Sequence, residues 1–183
     1  SFGIAKNLID RAKKSGADAV KFQMHISEFE SSDKEKFRKK FSFQDKTRYD
    51  YWKRTSFSLK EWNHIKQYCE KKNIIFLCSP FSVEAVKILR KIKVEAWKIA
   101  SGEFNNLILL NEVVKDNRPI ILSTGLTEKK EINKIIKFIR RKNKKIILLA
   151  CYSNYPTKLI KAGHQHISYF NKTFNVNSGI SDH

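Results

Sequence analysis

The chain has 183 residues, 41% hydrophobic and 12% aromatic, enough to bury a core and to exclude global disorder. Its 37 Lys and Arg against 18 Asp and Glu leave a net charge of +19, which could attract nucleic acid, anionic lipid or a phosphorylated substrate, or could reflect a compositional bias in which Lys, Asn and Ile are used heavily throughout. No apolar run approaches the roughly 18–20 residues of a membrane helix, and three scattered cysteines (Cys69, Cys78, Cys151) suit neither a disulfide framework nor a zinc cluster, so a reduced, cytoplasmic protein is expected.

The first stretch, Ile4–Lys14, spaces its apolar residues as a helix and ends at Gly16, and nothing in Ser1–Ser15 reads as a secretory leader. Ala19–Gln23 is a short strand. Residues 24–57 form a long charged stretch rich in Phe, Tyr, Ser and Lys, expected to be irregular and of functional use. Ser58 then opens a helix with Glu61 completing a capping box. Strands are predicted at Ile74–Cys78, Ala96–Ala100, Pro119–Leu122 and Ile146–Ala150, and helices at Ser82–Lys91, Asn106–Lys115 and Glu128–Lys142. Ile167–Phe174 reads as a helical turn and Asn177–Ile180 as a last strand.

Strands written as continuous apolar runs predict a parallel sheet buried on both faces. Repeated βα units allow an open doubly wound sheet or a (β/α)8 barrel, and no Gly-rich phosphate fingerprint follows any strand to favour a dinucleotide fold. Polar residues collect at the strand ends: Lys21 and Gln23 in KFQ, Ser79 in CSPF, Lys98, Ser101 and Glu103 in KIASGE, Ser123, Thr124 and Gly125 in LSTG, Ser153, Asn154 and Tyr155 in CYSNYP, and Ser181, Asp182 and His183 in SDH. In a barrel these ends converge on one mouth, where active sites are built. Burying lysine or glutamate in a sheet with nothing for it to bind is costly. Two lysines with several hydroxyls suit a phosphate or carboxylate, a carboxylate beside them suits proton handling, and a histidine suits a divalent metal.

Each residue also has a plainer explanation. Lys21 and Lys98 could snorkel to solvent, Glu103 could serve the N-terminus of the next helix, and Ser123–Gly125 could be ordinary turn chemistry. Cys78 and Cys151 read as core thiols. His25, His64, His164 and His166 read as surface or loop residues, having no ligand partner at a telling spacing.

The stretches GADAVKFQ, IIFLCSPFSVEAV, AWKIASGEFNNLILL, RPIILSTGLTEKKEI, LLACYSNYPT and GISDH, in that order, resemble the N-acylneuraminate (sialic acid) synthase family, which includes legionaminic and pseudaminic acid synthases. The resemblance runs over nearly the whole chain. It implies that residues 1–183 are a partial TIM (β/α)8 barrel, about strands two to seven of eight, with the first and last strands and a C-terminal antifreeze-like domain lying outside it. It implies condensation of phosphoenolpyruvate with N-acetylmannosamine or a related 2-acylamino sugar, with a divalent metal (Mn2+ or Mg2+). Lys21, Ser79, Lys98, Ser101, Ser123 and Ser181 would hold phosphoenolpyruvate, and Glu103 and Lys98 would be the catalytic pair. Glu103, Gln23 and Tyr155 would face the sugar, and His183 would be a metal ligand. Ser153 stands where some members carry a phosphate-contacting asparagine, and Asn154 could take that role by a register shift.

The resemblance also implies a homodimer at full length, and an inactive isolated fragment is expected. SGEFNN leans modestly toward the sialic or legionaminic branch. Two other readings stay open: a Schiff-base aldolase using Lys21 or Lys98 as nucleophile, and a basic nucleic-acid-binding domain, which lacks a recognition motif and is expected to bind only weakly and without specificity. No membrane partner is expected.

Overall fold

A computed structural model describes residues 1–37, 42–143, 145–153, 156–157 and 164–182. The chain divides into two units, Ser1–Glu95 and Ala96–His183.

In the first unit, helix α1 (Phe2–Lys14) leads into strand β1 (Ala19–Met24), with Gly16 at φ +83°, the left-handed backbone that glycine adopts without strain. Short α2 (Ser27–Glu30) and α3 (Arg48–Thr55) follow, then α4 (Leu59–Lys71), β2 (Ile75–Pro80) and α5 (Val83–Ile92). The predicted capping box is present: Ser58 Oγ accepts from the Glu61 amide, and Glu61 accepts from the Ser58 amide. β1 and β2 pair in parallel, Gln23 opposite Ser79. Phe22 and Phe76 share a face and pack against Trp62 of α4. The expectation that residues 24–57 are irregular needs correction. Thr47 accepts a bond from the Asp50 amide and starts α3, a T-x-x-D cap whose helix carries aromatic and charged residues instead of an apolar stripe.

In the second unit, β3 (Trp97–Ile99) runs into a 3-10 turn (Ser101–Glu103), followed by α6 (Leu107–Val113), β4 (Ile120–Ser123), α7 (Lys129–Arg140), β5 (Ile146–Cys151), α8 (His164–Phe174) and β6 (Asn177–Ser181). The four strands pair in parallel in chain order. α7 buries Ile132, Ile135, Ile136 and Ile139 along one stripe, and α8 packs on β5 and β6.

Burial on both sheet faces holds for β3 and fails in β2, β4 and β5. Ile120 and Leu122, and Ile146, Leu148 and Ala150, are buried, while their alternates Ile121, Ile147 and Leu149 are only half-buried. In β2, Ile75 is 47% exposed beside a fully buried Phe76. In β4 and β5 one face is thus covered more fully than the other although both are written largely in apolar residues, while β3 is buried at all three positions.

Candidate active site

The less covered face of the second unit carries the polar strand-end residues. In β3, alternation places Trp97 and Ile99 on the covered face and Lys98 opposite them. Lys98 is nonetheless buried, 7% exposed, and its Nζ donates to Ser123 Oγ at 2.7 Å and to the Ile99 carbonyl at 3.2 Å. Those two bonds offset part of the cost of withdrawing an ammonium from water. Lys98 does not snorkel to solvent; the strand aims it at the end of its neighbour.

Beyond Ser123 the backbone turns at Gly125. The Gly125 amide donates to Ser101 Oγ at 3.1 Å. A Cβ built there would stand 2.7 Å from Ser153 Oγ, 2.9 Å from Cys151 Sγ and 3.0 Å from Ser101 Oγ, so a larger residue would have to push these side chains aside. The ends of β3, β4 and β5 therefore gather Lys98, three serine hydroxyls and a backbone amide into one donor-rich corner, suited to an anion. Thr124 plays a different part, since its amide and its hydroxyl both bond the Leu149 carbonyl and tie β4 to β5. Ser181 ends β6 opposite Cys151, half-exposed.

Glu103 lies half-exposed in the 3-10 turn, where its Oε2 accepts from Asn106 Nδ2 at 2.7 Å. Asn106 Oδ1 in turn caps α6 by accepting from the Leu109 amide. The carboxylate thus steadies a helix start through its cap residue while standing two residues from Ser101.

In the first unit Lys21, Gln23, Leu77 and Ser79 share one face. Ser79 is buried and Gln23 exposed. Lys21 is exposed as a whole residue, yet desolvation of its ammonium lowers its pKa, opposed by the nearby Cys78 thiol. Burial pushes Cys78 well above an ordinary thiol and Cys69 up to about 11.

One expectation needs correction here: Cys151 is half-exposed beside Gly125 and is not a core thiol. His25 lies in the loop after β1 and His166 on a half-exposed part of α8, as expected, but both have partners: His166 Nε2 lies 3.2 Å from Tyr152 Oη, and His25 is stacked and paired as described below. Asn154, Tyr155 and His183 lie outside the described residues. Among the described residues no three His, Cys, Asp or Glu side chains converge on a metal position. No helix among them is long and apolar enough to cross a membrane.

A parallel α/β chain with a buried lysine and hydroxyls collected at its strand ends has the makings of an enzyme for anionic substrates. The NeuB family pattern matches residues 8–183, and the chain belongs to that family. It is 33% identical over 187 residues to the pseudaminic acid synthase of Campylobacter jejuni, covering 100% of this chain and 54% of that protein. To the N,N'-diacetyllegionaminic acid synthase of the same organism it is 32% identical over 186 residues, covering 98% of this chain and 56% of the relative. Among solved structures, the N-acetylneuraminic acid synthetase of Leptospira borgpetersenii in complex with citrate superposes with a TM-score of 0.84 at 31% identity, over 100% of this chain and 60% of that one. The chain spans about half the length of the curated relatives it matches and is nearly as close to one sugar branch as to the other.

Proposed function

We propose that the protein to which this chain belongs is a phosphoenolpyruvate-dependent synthase, built on a TIM barrel, that condenses phosphoenolpyruvate with N-acetylmannosamine or a related 2-acylamino sugar. The products are a nine-carbon sialic-type acid and phosphate. The observation that carries this reading is the Lys98–Ser123 pair beside the Ser101–Gly125 contact: a buried lysine and serine hydroxyls gathered at neighbouring strand ends make a setting suited to an anion.

In this reading Lys98, Ser101 and Ser123 hold phosphoenolpyruvate, Lys21, Ser79, Ser181 and Asn154 keep the phosphoenolpyruvate roles implied by the resemblance, and Gln23 and Tyr155 keep the sugar. Ser153, at the corner itself, joins the phosphoenolpyruvate donors. C3 of phosphoenolpyruvate forms a bond to the aldehyde carbon of the open-chain sugar, and the carbonyl oxygen takes a proton. Water adds at C2, and the C2–O bond to phosphate breaks as phosphate leaves. Lys98 neutralises charge on the phosphate or carboxylate throughout, and Glu103 moves the proton at the aldehyde oxygen. A divalent ion would polarise that carbonyl when bound. His183 is the ligand this chain would offer, the described residues supply no complete set, and no step here is routed through the ion.

The test is incubation of the full-length protein with phosphoenolpyruvate, Mn2+ and either N-acetylmannosamine or its 2,4-diacetamido-trideoxy analogue, following phosphate and product mass. A nine-carbon acid, lost in Glu103→Gln, supports the reading and names the branch. No condensation with either sugar in a folded protein overturns it. The lowered pKa of Lys21 keeps a Schiff-base aldolase as the second reading. Borohydride trapping of a pyruvate adduct on Lys21 or Lys98 would favour that chemistry.

A further inference from the structure

Three residues of the 24–57 stretch and Phe81, just after β2, form a four-tier stack. The Arg48 guanidinium lies 4.5 Å over the Trp52 ring. Trp52 stacks on His25 at 4.6 Å and an interplanar angle of 4°, and the opposite face of His25 stacks on Phe81 at 4.1 Å and 23°. The edge of the imidazole is fixed as well. His25 Nδ1 stands 2.6 Å from Glu30 Oε2, while Glu30 Oε1 accepts the Ile26 amide at 2.7 Å. The Glu30 side chain is 5% exposed and that of His25 21%, so a carboxylate withdrawn from water is satisfied by these two partners. Further along, Arg48 pairs with Glu35, and Arg54 grips Asp45 with two bonds.

The stack sits at a particular place. Gln23 and Ser79 face each other in the β1–β2 register, and His25 and Phe81 lie two residues beyond each. One ring pair therefore joins the ends of the two strands that carry Gln23 and Ser79, and Trp52 brings α3 onto it.

We infer that His25, oriented by Glu30 and held between Trp52 and Phe81, is the positioning residue that fixes α3 at the ends of β1 and β2 and through it sets the affinity for the acylamino sugar. The sugar half of this inference rests on the function proposed above; the anchoring half rests on the geometry alone. His25 pins the backbone two residues from Gln23, the residue assigned to the sugar. Loosening the stack frees both α3 and Gln23, and leaves the Lys98 corner of the second unit as it is.

The test uses the full-length protein with His25→Phe, which keeps a ring and loses Nδ1, Glu30→Gln, which keeps the Ile26 acceptor and loses the charge, and the double variant. Hydrogen exchange of amides in residues 42–57 and the separate KM values are read. Either single change is expected to speed exchange and raise the sugar KM by roughly 10-fold, with a smaller rise in the phosphoenolpyruvate KM through Ser79. The double variant is expected to be no worse than the singles, since both remove one interaction. Unchanged exchange in both single variants, or fully additive losses, overturns the anchor. Faster exchange with an unchanged sugar KM overturns the sugar half alone. If the wild-type protein condenses neither sugar, the proposed function fails while exchange still decides the anchor. If His25→Phe does not fold, Glu30→Gln, isosteric with the native side chain, carries the same comparison.

Discussion

Lys98 is the position where stability and function are expected to part. Replacing it with methionine in the full-length protein removes an ammonium from a 7% exposed site and the bonds to Ser123 Oγ and the Ile99 carbonyl. Two hydrogen bonds to a charged group contribute about 1.5–3 kcal/mol each, while the effective desolvation penalty of one ion is several kcal/mol, so gain and loss cancel to within about 2 kcal/mol. The melting temperature is then expected to stay within about 5 °C of wild type. Catalysis has no such compensation, because methionine offers nothing to an incoming phosphate or carboxylate. With about 4 kcal/mol of lost pairing, kcat/KM for phosphoenolpyruvate should fall by roughly 1,000-fold. Thermal unfolding and steady-state phosphate release measure the two quantities on one preparation. A Tm lowered by more than about 10 °C, with kcat/KM per folded molecule kept within roughly tenfold, would show that Lys98 serves the fold and not the ligand.

Gly125→Ala places a methyl group against Ser153, Cys151 and Ser101, so a loss of about 1–3 kcal/mol in urea unfolding and a raised phosphoenolpyruvate KM are expected; an unchanged KM would disconnect this corner from the ligand. Ser153→Ala, which removes only the hydroxyl at that corner, should raise the phosphoenolpyruvate KM by roughly 5–10-fold and leave the sugar KM alone, measured by varying each substrate in turn. Asp45 is held down to about 2 by the Arg54 guanidinium and then by Ser42. Because folding lowers its pKa, its contribution to stability is complete above the ordinary carboxylate value and is lost as pH falls toward about 2. Asp45→Asn should therefore flatten the fall in Tm between about pH 4 and 2, and an unaltered slope would contradict the pairing. Exposed Lys93 ends α5 at φ +63°, a left-handed backbone that costs a non-glycine residue roughly 1–2 kcal/mol. Lys93→Gly should raise stability by about 0.5–1 kcal/mol after glycine's own entropy cost, and a lower Tm would refute it.

The regular elements were legible because each carries its own local signal. Ser58 with Glu61, Ser82 before Val83 and Asn106 before Leu107 announce helix starts through side chains that reach amides two or three residues on, and the structure shows all three doing so. The strands from Ile75, Ile120 and Ile146 stand out as short β-branched runs bounded by loops. Helix α3 escaped because RYDYWKRT has no apolar stripe. It is held through Trp52 on His25 and Arg54 on Asp45, contacts between residues far apart in the chain. An apolar run also cannot say which of its faces is covered, and Ile121, Ile147 and Leu149 are as apolar as the buried residues between them.

At the site, the kinds of residue were legible and their aim was not. A lysine inside WKI, where both flanking residues are apolar, could by itself snorkel to solvent, and it drew attention as one of a set of polar residues at strand ends. That Lys98 meets Ser123 depends on the β3–β4 register, in which Lys98 sits opposite Ile121 with Ser123 two residues further along the same face. A slip of one residue would have sent the lysine to the covered side. The same geometry brings Ser153 to Gly125: β5 ends at Cys151, whose sulfur already reaches that glycine, and two residues further the chain returns a hydroxyl to the same spot. The sequence CYSNYP offers serine and asparagine side by side, and composition gives no reason to prefer either. The structure places the Ser153 hydroxyl at Gly125, where it crowds a Cβ together with Ser101 and Cys151, and Asn154 lies outside the described residues.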